Sequence, residues 1–290
     1  MLRSLLFVPG DSERKQAKAV SSPADALILD LEDSVAADRL PCAREQVARF
    51  LAAKPATAGQ QLWVRTNPLS SGKLLEDQSA VIGGAPAGLV LPKVSDPAEV
   101  LAVHHYLCAL EVQSGLPLHS TKLIVVATET PRAVLTLPEY PVAPERLVGL
   151  TWGAEDLSAA LGATSKQDAN GELAFTYRLA RSLCLLTARA AGVQPIDTLY
   201  ASFKDPEGLR ADAQRAQREG FTGKIAIHPD QVDAINAAFT PSRADIERAR
   251  RIVEAFATSP DAGTLGLDGE MLDRPHLVQA QRVLALARGN

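Results

Sequence analysis

Residues 123–129 read Leu-Ile-Val-Val-Ala-Thr-Glu, an unbroken apolar run that ends in a threonine and a carboxylate, with Pro131 close behind. A run apolar at every position, not at alternate ones, is what a parallel strand covered on both faces requires. Seven more short β-prone runs are spread along the chain, at residues 5–8, 26–31, 62–65, 88–91, 147–151, 198–201 and 225–227. Between most of them lie amphipathic helical patterns, at 38–51, 97–110, 172–191 and 206–219. Ser95-Asp96-Pro97 reads as a helix cap with proline in the first turn, and Gly192 and Gly220 read as helix stops. Eight strands alternating with helices predict a (β/α)8 TIM barrel over residues 1–240. Residues 241–290 then form a C-terminal helical extension or lid, placed to reach a neighbouring subunit. A doubly wound open sheet is the competing arrangement, but Pro9-Gly10-Asp11 after the first strand has one glycine where a dinucleotide fingerprint needs three. Residues 153–167 show no helix of their own and are expected to form a long irregular loop.

Composition narrows the function classes. The chain has 290 residues, 46% of them hydrophobic and 22% charged, so it can bury a large core and does not belong with disordered sequences. Its formal net charge of −4 leaves no basic surplus for phosphates, and nucleic acid is not expected as a partner. Cys42, Cys108 and Cys184 are odd in number and far apart, which excludes a disulfide scaffold and a CxxC motif. The histidines are dispersed, and adjacent His104 and His105 cannot share a helix face, so a soft nitrogen–sulfur metal site is not expected. No run approaches the ~18–20 apolar residues of a membrane span. The apolar run 5–8 is also shorter than the ~7–15 residues of a signal-peptide core, and the expected location is the cytoplasm.

Charged groups follow nearly every apolar run. Asp11 follows the first, Asp30, Glu32 and Asp33 the second, Arg65 the third, Lys93 the fourth and Glu129 the fifth. Glu155 and Asp156 come after the sixth, Lys204 and Asp205 after the seventh, and His228 after the eighth. In a barrel these positions converge on one mouth, the face on which barrel active sites are built. Glu129 and Asp156 lie on neighbouring strand ends with no histidine or cysteine nearby. That donor set suits a hard cation such as Mg²⁺, which takes one or two carboxylates and keeps waters; a buried glutamate paired with arginine is the other reading. Arg65 ends an apolar strand, where its planar fork meets either a substrate carboxylate or the acids Asp30, Glu32 and Asp33. Those three are crowded, so at least one is expected to pair with Arg65 or Lys93 in support. His228, before Pro229, is either a switchable base or a cap.

Taken in order, these motifs resemble the citrate lyase β-subunit-like branch of the HpcH/HpaI aldolase superfamily, which includes malyl-, citramalyl- and citryl-CoA lyase relatives. The resemblance is carried by Arg3-Ser4-Leu5-Leu6-Phe7-Val8-Pro9-Gly10-Asp11, Leu29-Asp30-Leu31-Glu32-Asp33, Val64-Arg65-Thr66-Asn67 and Leu91-Pro92-Lys93-Val94. It continues through Glu129-Thr130, Gly153-Ala154-Glu155-Asp156-Leu157, Ile227-His228-Pro229 and Gly269-Glu270-Met271-Leu272-Asp273-Arg274-Pro275. It implies a barrel that binds Mg²⁺ through Glu129 and Asp156. Arg65 holds the carboxylate of a 2-oxo acid, and Pro9, Gly10, Arg14, Glu129 and His228 line the substrate. The implied reaction cleaves or forms the carbon–carbon bond between that acid and an acetyl-type thioester of CoA or an acyl carrier. The resemblance also implies a homotrimer or a multiple of one, in which Asp273 serves as acid/base in a neighbour's site. Two alternatives share these residues: an acyl-CoA thioesterase, and a carrier-dependent β-like subunit of a larger lyase complex.

Overall fold

The structure, a computed structural model, describes residues 1–53, 59–142, 144–259 and 262–288. Eight parallel strands close into a barrel in chain order. They are β1 (Ser4–Pro9), β2 (Ala26–Asp30), β3 (Gln61–Arg65), β4 (Gly88–Leu91), β5 (Lys122–Val126), β6 (Leu147–Thr151), β7 (Gln194–Asp197) and β8 (Gly223–Ala226). Closure is made by β1 against β8, with Leu5 beside Ile225, so the open-sheet alternative is excluded. The intervening helices are α1 (Glu13–Val20), α2 (Leu40–Ala52), α3 (Leu74–Val81), α4 (Pro97–Gln113), α5 (Pro131–Thr136), α6 (Glu155–Leu161), α7 (Phe175–Ala190), α8 (Pro206–Glu219) and α9 (Val232–Phe239).

The unbroken apolar runs divide between two cores. Leu5, Ala26, Ile28, Trp63, Val90, Ile124, Val126, Ile196 and Ile225 form one buried cluster that contains no helix residue, which is the barrel interior. Their strand neighbours Leu6, Leu27, Val64, Leu89, Leu123 and Val125 pack instead with Val47, Val100, Leu107, Leu209 and Ala213 of the helices. Side chains alternate faces along a strand, so each run needs apolar residues at both parities. Burying each leucine, isoleucine or valine among them contributes about 1.5–3 kcal/mol. Gly88 faces the largest interior residue: a Cβ there would lie 2.3 Å from the ring of Trp63, its partner in register.

Two local expectations are corrected. The seventh strand is Gln194–Asp197, not residues 198–201. Gln194-Pro195-Ile196-Asp197 has no apolar run to betray it; pairing with β6 and β8 on both sides and burial of Ile196 in the barrel select it. Residues 153–167 are not all loop, because α6 opens with Glu155 and Asp156 in its first turn and stops at Gly162, whose φ is 67°. Carboxylates at a helix N-terminus and a left-handed glycine after its end are favourable local signals that a seven-residue element leaves too little periodicity to support.

Beyond the barrel, α10 (Arg243–Thr258), a hairpin of β9 (Thr264–Leu267) and β10 (Glu270–Asp273), and α11 (Arg274–Arg288) pack around a cluster of their own, with Ile252, Phe256, Leu272 and Ala280 at its centre. The hairpin turns at Asp268-Gly269, both at positive φ, as a two-residue turn matched to strand twist demands. Residues 260–261 and 289–290 of the expected extension lie outside the described residues. Among the described residues no helix is long and apolar enough to cross a membrane.

Candidate active site

Parallel closure brings the C-terminal ends of the strands to one mouth, and the strand-end charges form a network there. Asp30 and Arg65 are partners in the β2–β3 register. Arg65 donates from Nε to Asp30 Oδ1 and from Nη2 to Oδ2, both at 2.7 Å, a full bidentate fork. Asp30 also accepts from the backbone N–H groups of Glu32 and Ser34. Burial alone would raise its carboxyl, but those donors and the guanidinium hold it below the ordinary range. The guanidinium lies over Phe7, 4.5 Å from the ring centroid. Its Nη1 is 2.9 Å from Glu32 Oε2. Burial raises the Glu32 carboxyl, Asp33 adds to the effect, and Arg65 and Lys93 oppose it.

Lys93 is the second cation. Its Nζ contacts Glu32, lies 3.0 Å from Asp33 Oδ1 and comes within 3.5 Å of Asp156 Oδ1. Burial would lower its ammonium, yet Glu32 and Asp33 push it above the ordinary lysine range, so it remains an ion-pairing cation and not a free amine nucleophile. Its φ of 52° is left-handed, an unfavourable setting for a side chain that persists only when surroundings hold it. The consequence is visible: the strained turn aims the Lys93 N–H at Glu129 Oε2, 2.5 Å away.

Glu129 is buried at the centre of this network. Burial, with the charges of Asp156 and Glu32 added, pushes its carboxyl up to about 8 against the opposing Lys93 N–H and Arg65. Gly153 forms its seat, because a Cβ at Gly153 would lie 2.8 Å from Glu129 Cγ. The Gly153 N–H donates to Thr128 Oγ1, fastening the loop that leads into Asp156. Five carboxylates (Asp30, Glu32, Asp33, Glu129 and Asp156) thus face two cations. The oxygen donors of Glu129 and Asp156 fit a divalent hard cation: charge is in excess, and Glu129 is costly to ionise without one.

The other expected residues are placed differently. Pro9 ends β1, and the Gly10 N–H donates to Asp30 O, so both back the Arg65 partner. Arg14 is exposed in the first turn of α1, the helix that follows β1 at the mouth. His228 caps the short turn before α9 by accepting from Asp230 N–H, and it stacks on Phe203. Asp205 caps α8, whereas β7 ends in Asp197, a buried acid bound by Trp152, Arg181 and Lys224. Asp273 is not part of the network; it lies on β10, paired with His276. Phe7 and Gly153 lie within the family motifs and Trp152 directly before one, but only the fold assigns them a role.

Dispersal along the chain did not keep the soft donors apart. His104, Cys108 and His119 each offer a ligand atom within 4.8 Å of the others. Arg146 fills that corner: its Nε–H donates to His104 Nδ1 at 2.9 Å, and Nη2 lies 3.3 Å from Cys108 Sγ. The neutral His104 ring then carries its proton on Nε2, the nitrogen facing Cys108, which is a donor and not a metal ligand.

The sequence profile of the HpcH/HpaI aldolase/citrate lyase family matches residues 3–229. Citrate lyase subunit beta of Haemophilus influenzae is 34% identical over 288 residues, covering 99% of this chain and 97% of that protein. A (3S)-malyl-CoA thioesterase of Cereibacter sphaeroides is 36% identical over 288 residues, covering 98% and 94%. The crystal structure of protein CitE from Mycobacterium tuberculosis in complex with magnesium, acetoacetate and coenzyme A superimposes with a TM-score of 0.78 at 32% identity, covering 98% of this chain and 97% of that one.

Proposed function

The chain belongs to the HpcH/HpaI aldolase/citrate lyase family, and from that premise we propose that it is a Mg²⁺-dependent carbon–carbon lyase acting on a 3-hydroxy-acid thioester of the citryl, malyl or citramalyl type. Its products in the cleavage direction are a 2-oxo acid and an acetyl-type thioester. The observation that carries the reading is the seating of Glu129 at the barrel mouth, buried beside Asp156 and pushed up to about 8, where a hard cation relieves the charge it resists. Magnesium in the related CitE complex supports the same assignment.

Glu129 and Asp156 would hold the ion, whose chemistry when bound is that of a Lewis acid on the 2-oxo oxygen. The chain's own groups do the rest. Arg65 is held by its fork to Asp30 and by Glu32 beside Nη1, so its guanidinium has little freedom left to lose on binding a substrate carboxylate, and its charge offsets negative charge developing on oxygen. Lys93 holds Glu32 and Asp33 and offsets the negative charge that would repel that carboxylate. Asp273 supplies or removes the proton at the thioester α-carbon. Its place on a hairpin outside the mouth network favours delivery to a neighbouring subunit in a homotrimer or a multiple of one.

The test is a product assay of purified protein with Mg²⁺ on malyl-, citramalyl- and citryl-CoA, following 2-oxo acid and free thiol in parallel. Release of a 2-oxo acid with the thioester retained on acetyl-CoA is the expected result. Thiol release without 2-oxo acid would overturn the lyase reading in favour of thioester hydrolysis.

A further inference from the structure

The Asp273 carboxylate has a partner of its own. Its Oδ1 lies 2.5 Å from Nδ1 of His276, three residues on in the first turn of α11. An oxygen and a nitrogen approach that closely only with a proton between them. The surroundings explain why such an anchor matters. On β10 the Leu272 side chain is buried in the C-terminal cluster, while Met271 is 71% exposed and Asp273 shares its face. A carboxylate at the edge of an exposed hairpin is free to turn about both of its side-chain bonds unless something holds it.

We propose that His276 is a positioning residue for the proton-transferring carboxylate, donating Nδ1–H to Asp273 Oδ1 and leaving Oδ2 to face the substrate. The proposal rests on the reading of Asp273 as the acid/base. In the condensation direction the α-carbon C–H bond breaks, its electron pair stays on carbon as the thioester enolate, and the proton bonds to Oδ2. In cleavage the Oδ2–H bond breaks and that proton returns to the α-carbon. His276 keeps its own Nδ1–H throughout this transfer between the α-carbon and Oδ2.

A simpler role competes with this one. The Asp273 backbone N–H lies 3.2 Å from the same Nδ1, as in a helix cap. One nitrogen cannot accept that N–H and donate to Oδ1 in the same tautomer. Loss of a cap lowers stability, whereas loss of an anchor on Asp273 lowers the rate of proton transfer in a protein that still binds its ligands.

The experiment follows exchange of the acetyl-CoA methyl hydrogens with D₂O by NMR, using the full chain with Mg²⁺ and either pyruvate or oxaloacetate. His276→Ala should slow exchange about tenfold to hundredfold, the loss of one hydrogen bond to a charged group. Calorimetric affinities for Mg²⁺ and the 2-oxo acid should stay at native values. His276→Asn, whose amide N–H replaces Nδ1–H, should recover most of the rate. Asp273→Asn should abolish exchange. If Asp273→Asn exchanges like the native protein, the acid/base reading falls and the pairing with it. If Asp273→Asn is inactive while His276→Ala exchanges at the native rate, Asp273 keeps its role and the positioning role of His276 is refuted. A slow His276→Ala whose melting temperature also falls, with no recovery in His276→Asn, refutes it as well.

Discussion

Replacing Gly153 with alanine adds one methyl group, and the structure predicts that this disables the barrel mouth. The new Cβ would lie 2.8 Å from Glu129 Cγ, 3.0 Å from its Oε1 and 3.3 Å from its Cδ. Carbon atoms settle at about 3.5–4.0 Å, so one partner must move by about 0.7–1.2 Å. Glu129 cannot retreat freely, because it is buried and its Oε2 is held by the Lys93 N–H. If the loop moves instead, it breaks the Gly153–Thr128 bond and carries Asp156 with it. Either movement separates the two carboxylates proposed to hold Mg²⁺. A misplacement of about 1 Å costs about a hundredfold in rate, and overpacking costs about 1–3 kcal/mol of stability. The second cost is smaller than the ~5–15 kcal/mol of a typical domain, so the variant should fold and fail in function. Initial rates, Mg²⁺ calorimetry and a thermal melt on the same preparation check this. A Gly153→Ala protein with native Mg²⁺ affinity and native turnover would refute the reasoning.

Three further outcomes are expected. The Glu129 carboxyl titrates at about 8 in the metal-free fold against its ordinary 4.5, so its stabilising contribution is full below pH 4.5 and is lost as the pH rises through about 8. Mg²⁺ must displace that proton, so affinity should rise up to about tenfold per pH unit and level off above pH 8, with about one proton released at pH 7; a flat affinity between pH 6 and 8, measured by calorimetry in two buffers, would sink the assignment. Arg65→Lys keeps the charge but loses the fork to Asp30, and kcat/KM should drop by about tenfold to a thousandfold, while native kinetics would leave Arg65 only a diffuse electrostatic role. Mixed oligomers of Asp273→Asn and Glu129→Ala subunits should regain part of the activity that each parent lacks; no regain in verified mixtures would place Asp273 outside any shared site.

Much of the barrel was legible because its strands carry a local signature. Residues 123–127 are apolar at both parities, as a strand packed inside and outside requires, so the expectation survives without knowledge of neighbours. The seventh strand escaped for the converse reason. Gln194-Pro195-Ile196-Asp197 buries Ile196 inside but pairs its last acid with Lys224 and Arg181 outside, a polar solution that no hydrophobic pattern announces. Helix α6 was missed because seven residues make two turns, too few for a 3.6-residue period to stand out.

The sequence by itself determined seven of the eight barrel strands and the chemistry at their ends, because these depend on residue type and local period. Only the tertiary structure decided how those groups are shared. Register beside β2 gives the Arg65 fork to Asp30, and the left-handed turn at Lys93 aims its N–H at Glu129. Closure around the barrel seats Glu129 against Gly153 and raises its carboxyl by burial. The hairpin places Asp273 apart from that mouth and beside His276. Distances, desolvation and proton sharing arise between segments remote in the chain, so they follow from closure of the fold and not from any single stretch of it.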